Sequence, residues 1–204
     1  MKILFLQLRY ASEAMRATLV IIVSLFFTSS AALAQEGYAH GADHCYYFEA
    51  PHGWVMDNRA LASQGVPMVF YPAGTTWASA DVAIYTRPSS QARQAADPIR
   101  AQVKEVLSMY KAASQRIKAK KAETIATKAG AKGELWAFTG YANGGAELVV
   151  YFLGRQTVNY FVAQVPEGAD VQQSRRVLVE LATSYRESAD CKPCAGGASC
   201  IPIN

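Results

Sequence analysis

The sequence predicts an α+β protein, with a largely antiparallel sheet of about six to seven strands and helices packed on its faces. Three observations predict it. Several strand-like runs are apolar at successive positions, so the sheet is expected to be covered on both sides. Two stretches, opening at Asp97 and Asp170, carry apolar residues at helical spacing behind an N-cap side chain. The later runs are joined by a few residues each, which suits antiparallel neighbours.

The chain is read as a targeting segment (1–34), a flexible leader (35–44), one α/β domain (45–188) and a Cys-rich tail (189–204). Arg16 precedes the run ATLVIIVSLFFTSSAALA, which ends in Ala32-Leu33-Ala34. A positive residue, a short apolar run and a small-x-small site together predict a secretory signal peptide. Its most apolar part, residues 17–27, falls short of the about 20 residues that span a bilayer. The alternative is a retained anchor. Met15 serves as a start as well as Met1, and no Cys follows the cleavage site to take a lipid. Cleavage leaves roughly 170 residues, one domain of ordinary size. The expected location is periplasmic or secreted, with no stable membrane anchor. Removing the segment lowers the net charge from +4 to about +2, which gives no case for nucleic acid as a partner.

Residues 35–44 are polar and Gly-rich, and residues 45–50 (CYYFEA) make the first strand. Pro51-His52-Gly53 breaks it, and Trp54 restarts the chain with an apolar anchor. Residues 57–65 read as loop or a single helical turn. Strands are expected at 68–71 and 82–86, separated by the Pro72-Ala73-Gly74 turn. Asp97-Pro98 opens a helix whose face is Ile99, Val103, Val106, Leu107 and Tyr110. Four strands follow, near 118–127, 133–141, 147–153 and 158–165, with Asn143-Gly144-Gly145 as a tight hairpin turn. Asp170 opens the last helix, with Gln173 placed for a capping box and Val171, Leu178, Leu181, Ala182 and Tyr185 as its buried stripe.

The opening strand leading into Pro51-His52-Gly53-Trp54, then Val69-Phe70-Tyr71, and the order strands, helix, four strands, helix resemble the PsbP-like fold family. That family includes an extrinsic photosystem subunit, and a Ran-binding import factor shares its fold. The resemblance covers roughly residues 45–188. It implies a PsbP-like fold and a role in binding proteins or supporting assemblies rather than catalysis. It transfers no functional residue.

Four cysteines, Cys45, Cys191, Cys194 and Cys200, all lie beyond the targeting segment, and an even count in an exported chain predicts disulfides. Three pairings are open. Cys45 with Cys191 and Cys194 with Cys200 is the favoured one, because the first bridge would tie the two ends of the domain. Cys191-Lys192-Pro193-Cys194 follows the last helix rather than opening one, so it reads as structural rather than redox.

The chain contains no nucleophile elbow, no zinc-protease motif and no phosphate-binding glycine loop. A small hydrolase with a cleft near His52, using Asp57 or Ser63, is the alternative reading. His40, His44 and Cys45 with the tail cysteines are a further alternative, as ligands for zinc or copper. Lys118 and Lys120 share one face of a basic strand, which reads as a protected sheet edge or as a docking patch for an acidic partner. Tyr71 and Trp77 belong to the loop 71–79, where an aromatic side chain can anchor a partner. The resulting expectation is an exported, non-enzymatic module for an unidentified protein or small-molecule partner, with no cofactor and no metal site assigned.

Overall fold

Ten strands and two α-helices form among the described residues, which are 35–41, 43–89 and 94–189 of a computed structural model. The chain divides into two units, Met1–Leu33 and Ala34–Asn204, and every described residue belongs to the second. The strands are β1 (Glu36–His40), β2 (Cys45–Glu49), β3 (Trp54–Asp57), β4 (Met68–Pro72) and β5 (Ala83–Ser89). After α1 (Pro98–Ala113) come β6 (Lys118–Ala126), β7 (Lys132–Thr139), β8 (Ala146–Leu153) and β9 (Val158–Val165). Helix α2 (Val171–Thr183) and the short β10 (Arg186–Glu187) complete the order.

Seven strands make one antiparallel sheet in the order β3-β4-β5-β9-β8-β7-β6, and β1-β2-β10 make a second. The α+β class is therefore observed. The central strands β8 and β9 are buried on both faces, as their unbroken apolar runs require. On one face lies α1, whose Ile99, Val103 and Val106 pack with Val149, Tyr151, Val158 and Val162. On the other lie α2 and the small sheet, over Phe70, Val150, Phe152, Phe161 and Ala163. Tyr185 stacks on Phe152 at 4.1 Å and accepts a hydrogen bond from Asn159 Nδ2 at 2.9 Å, so the polar end of this buried ring is satisfied.

Both helices start where their caps predict. Asp97 accepts from the Arg100 amide at 3.1 Å, with Pro98 in the first turn. Asp170 accepts from the amides of Gln172 and Gln173. The Gln173 side chain, expected to reach back in a capping box, accepts from Arg176 instead. Val171, expected in the buried stripe, is 43% exposed. Helical side chains lean toward the N-terminus, and at the first position that carries this one past the core.

The leader expected at 35–44 is a strand. Tyr38 and Ala39 are buried, and β1 pairs with β2 from Glu36↔Glu49 to His40↔Cys45. Tyr38 stacks on Tyr47 at 4.4 Å, and the Arg186 guanidinium lies 3.8 Å over the other side of Tyr47 while pairing with Glu36. Gly37 makes the approach possible, since a Cβ there would stand 2.3 Å from both Phe48 and Met56. The polar composition of 35–44 hid a strand held by neighbours distant in sequence. The domain therefore opens at β1 rather than at residue 45.

Candidate functional site

Glu147 is the second residue of β8 and begins the face of the sheet that α1 covers. Its cross-strand partners are Gln164 on β9 and Phe138 on β7, and Gln164 also pairs with Ala83 on β5. The hairpin turn Asn143-Gly144-Gly145 brings the chain into β8, with Gly144 at φ +72°, a conformation that favours glycine. Tyr110, in the last turn of α1, donates to Glu147 Oε2 at 2.6 Å. The Tyr141 ring meets that of Tyr110 edge-on at 5.5 Å. The Tyr141 hydroxyl is buried beside the same carboxylate, near enough to interact with Glu147 and Tyr110 although it makes no strict hydrogen bond.

Glu147 lines a cleft of about 250 Å³ with Tyr141, Asn143, Gly145, Ala146, Gln164, Val165 and Pro166. Burial holds its carboxyl above the ordinary glutamate range, against the opposing influence of Tyr110, Tyr141 and Gln164. Burial, with the Glu147 carboxylate second, pushes the phenols of Tyr110 and Tyr85 far above their ordinary value, so both rings remain neutral donors. Chemically this is a mostly buried carboxylate, held by Tyr110 and flanked by Tyr141 and Gln164, on a small cleft whose one aromatic lining residue is Tyr141. The carboxylate can hold a hydrogen-bond donor or a cation, and the Asn143 and Gln164 amides in the same lining can donate or accept.

The residues singled out in the sequence fall in three separate places. Trp77 is half-buried, edge-on to Tyr85 at 6.4 Å, in a turn pinned by the Ser79 amide and hydroxyl bonding to Thr76. It therefore borders the tyrosine cluster rather than standing free on a loop. Tyr71 lies at the end of β4 and donates to Asp57 Oδ2 at 2.9 Å, in a second cleft of about 310 Å³. Lys118 and Lys120 lie on β6, the edge strand, both exposed and without an ion-pair partner among the described residues. Their register partners Thr139 and Ala137 put them on the sheet face opposite Glu147, so the basic strand and the Trp77 turn do not form one surface.

Among the described residues, no hydrogen bond joins His52 to Asp57 or Ser63. The hydrogen bond of His52 runs from its main-chain amide to Glu180, while Asp57 accepts from the Arg59 and Ala60 amides and from Tyr71. His40 pairs in register with Cys45, and His44 Nδ1 lies 3.1 Å from Asp43. No group of three metal-ligating side chains gathers among the described residues. Cys45 is buried with its Sγ 3.7 Å from the Ser188 carbonyl oxygen, and it is not a free thiol. Cys191, Cys194 and Cys200 lie outside the described residues.

Sequence reading missed Glu147, Tyr141 and Gln164, and gave Tyr110 only a packing role. One signal was present: Glu147 is a charge at an inward position of a strand otherwise apolar on both faces.

The fold and site define an α+β protein with one large antiparallel sheet between two helices and a small cleft at a sheet end. Among solved structures it is similar to cyanobacterial PsbP from Synechocystis sp. PCC 6803, at 16% identity and a TM-score of 0.48, over 78% of this chain and 96% of that one. The similarity is to a PsbP-like fold, the family that the opening strand and its Pro-Gly-Trp turn resemble. A Bacteroides thetaiotaomicron VPI-5482 protein is also similar, at 10% identity and a TM-score of 0.38, over 79% of this chain and 51% of its own length. No protein-family model and no curated protein matches the sequence.

Proposed function

We propose that this chain is an exported, non-enzymatic binding module whose ligand seat is the cleft at Glu147. The observation that carries it is a mostly buried carboxylate lining a cleft of about 250 Å³, beside the buried Tyr141 hydroxyl, which makes no strict hydrogen bond. A buried polar group without a partner costs about 1–3 kcal/mol. A bound ligand that completes the shell recovers that cost. Export is supported by the Arg16-led apolar run ending in Ala32-Leu33-Ala34, and by an even cysteine count. No helix among the described residues is long and apolar enough to cross a membrane.

The bridge between Cys45 and Cys191 belongs to the same proposal. The Ser188 amide donates to the Cys45 carbonyl at 3.0 Å, so the last described strand ends beside Cys45, which supports a bridge tying the two ends of the domain. Native mass spectrometry of protein from its exported fraction tests the reading. A small molecule that co-purifies with the wild type and is lost from Glu147→Gln is expected. Retention of the same molecule by both proteins, or none in either, removes the cleft as the seat.

A further inference from the structure

The two edges of the large sheet are built differently. At one edge, β6 carries Lys118, Lys120 and Lys121 and a register shift between Lys121 and Glu123, devices by which a sheet resists a further strand. At the other, β3 reads Trp54-Val55-Met56-Asp57, with no lysine, no proline and no bulge, and all four residues are half-buried. Among the described residues β3 pairs with β4 alone.

The hydrogen-bond parity of that pair shows what β3 leaves open. The Ala73 amide donates to the Gly53 carbonyl at 2.8 Å, so Gly53, Val55 and Asp57 turn their main-chain groups toward β4. Trp54 and Met56 then turn theirs outward, and Pro72, opposite Trp54, has no N–H to give, as this parity requires. The Trp54 amide is taken by the Pro51 carbonyl at 3.0 Å. The Trp54 carbonyl and both main-chain groups of Met56 stay on the open edge, without a partner among the described residues.

A cleft of about 310 Å³ follows this edge. Val55 and Met56 point to opposite faces of the sheet and both line it, so the cleft wraps the strand instead of opening on one face. Such a slot fits one extended chain. Four residues extend over roughly 13 Å, too little edge for the about 1,200 Å² or more that a stable pair of proteins buries, so a peptide segment suits it better than a second copy. Of the two charged side chains in the lining, the Asp57 carboxylate already accepts from the Arg59 and Ala60 amides and from the Tyr71 hydroxyl. Arg59 is exposed and feels the Asp57 charge, but its guanidinium makes no hydrogen bond or ion pair among the described residues. A carboxylate on the incoming segment complements it. We infer that β3 takes an extended acidic segment of a protein partner as an added strand, bonded to Met56 and to the Trp54 carbonyl, with its acidic side chain toward Arg59. This edge shares no lining residue with the cleft at Glu147, so either can fail without the other.

The test is amide hydrogen exchange and NMR titration of the mature, exported chain with three blocked pentapeptides. One is Thr-Val-Thr-Val-Glu, the second ends in Lys, and the third is the Glu peptide N-methylated at alternate residues. The Met56 amide is expected to exchange freely in the protein alone, and to slow about tenfold with the Glu peptide at about ten times its Kd. The methylated peptide should bind about tenfold more weakly or worse, because it cannot donate to the edge. Arg59→Glu, a change at an exposed side chain, should reverse the order of the Glu and Lys peptides. Equal binding of the methylated and unmethylated peptides, no slowing at Met56, or an unchanged peptide order in Arg59→Glu overturns the inference. Protection of Met56 in the protein alone also overturns it: protection that fades on dilution assigns the edge to a second copy, and protection independent of concentration assigns it to the chain itself.

Discussion

The Tyr110 hydroxyl donates to Glu147 Oε2 at 2.6 Å, which ties the last turn of α1 to the start of β8 across 37 residues of chain. It is the polar contact at the C-terminal end of a helix otherwise held by Ile99, Val103 and Val106. Tyr110→Phe leaves the packing and removes the donor from a mostly buried carboxylate. The expected loss is about 1–3 kcal/mol near neutral pH, seen as a lower urea midpoint with an unchanged slope. In the background of Glu147→Gln the same substitution should cost less, because a neutral acceptor makes a weaker bond. Equal losses in the two backgrounds would show that the contact carries no charge-assisted energy.

The pH dependence follows from the same carboxylate. Burial raises the Glu147 carboxyl above its unfolded value, so the folded state binds that proton more tightly than the unfolded chain does. Stability from this group is greatest below the unfolded glutamate range and declines as pH rises through the raised folded value. Asp57 and Asp170 act in the opposite sense. Asp57 is lowered, against its burial, by the Arg59 and Ala60 amides and Tyr71, and Asp170 is lowered by the amides it caps. Their contribution is lost as pH falls. The difference between wild type and Glu147→Gln isolates the first effect. The variant should gain relative stability with rising pH above the ordinary carboxylate range, and a flat difference from pH 4 to 8 would refute the raised value.

The sheet and helices were legible because their signals are local. Asp97 with Pro98, Asp170, and the turn at Asn143-Gly144 each fix an element by chemistry within a few residues. What was not legible depends on distant partners. Strand β1 exists because Tyr47 and Arg186 hold Tyr38 and Glu36, and no local pattern in EGYAH announces that. The site was hidden for the same reason: Tyr110 looked like a core aromatic, Tyr141 was only the end of a strand-like run, and only the register of β8 with β9 brings Gln164 beside Glu147. Trp77 was found, but as a neighbour of Tyr85 rather than as an exposed anchor.

Gly37 gives a direct test of β1 as framework. A Cβ there would stand 2.3 Å from the Phe48 ring and from the Met56 sulfur, both far inside contact distance. Phe48 is fully buried against Phe70 and Phe161, so its ring has no room to retreat. Gly37→Val should either expel β1 or displace Phe48, at a cost of about 1–3 kcal/mol or more. Amide hydrogen exchange at Tyr38 and Ala39 should rise sharply in the variant. Unchanged protection there would mean that β1 does not depend on this close approach.

Lys118 and Lys120 separate two uses of an edge strand. Both are exposed on β6, whose outer edge has no neighbouring strand among the described residues, while Lys121 is paired with Glu134 at 2.5 Å. As edge protection, the lysines act through charge and hydration, which glutamate supplies equally well. As a docking patch for an acidic partner, they act through the sign of the charge. Lys118→Glu with Lys120→Glu should then keep the protein monomeric in the first case and abolish salt-sensitive capture of an acidic partner in the second. Lys118→Thr with Lys120→Val removes charge from a β-prone edge and should produce concentration-dependent self-association if protection is their role. Light scattering over a concentration series, run beside capture on an anionic matrix at low and high salt, reads both. Self-association of the Thr/Val variant, together with monomeric behaviour of the Glu/Glu variant, assigns the lysines to the sheet edge and leaves binding to the cleft on the opposite face.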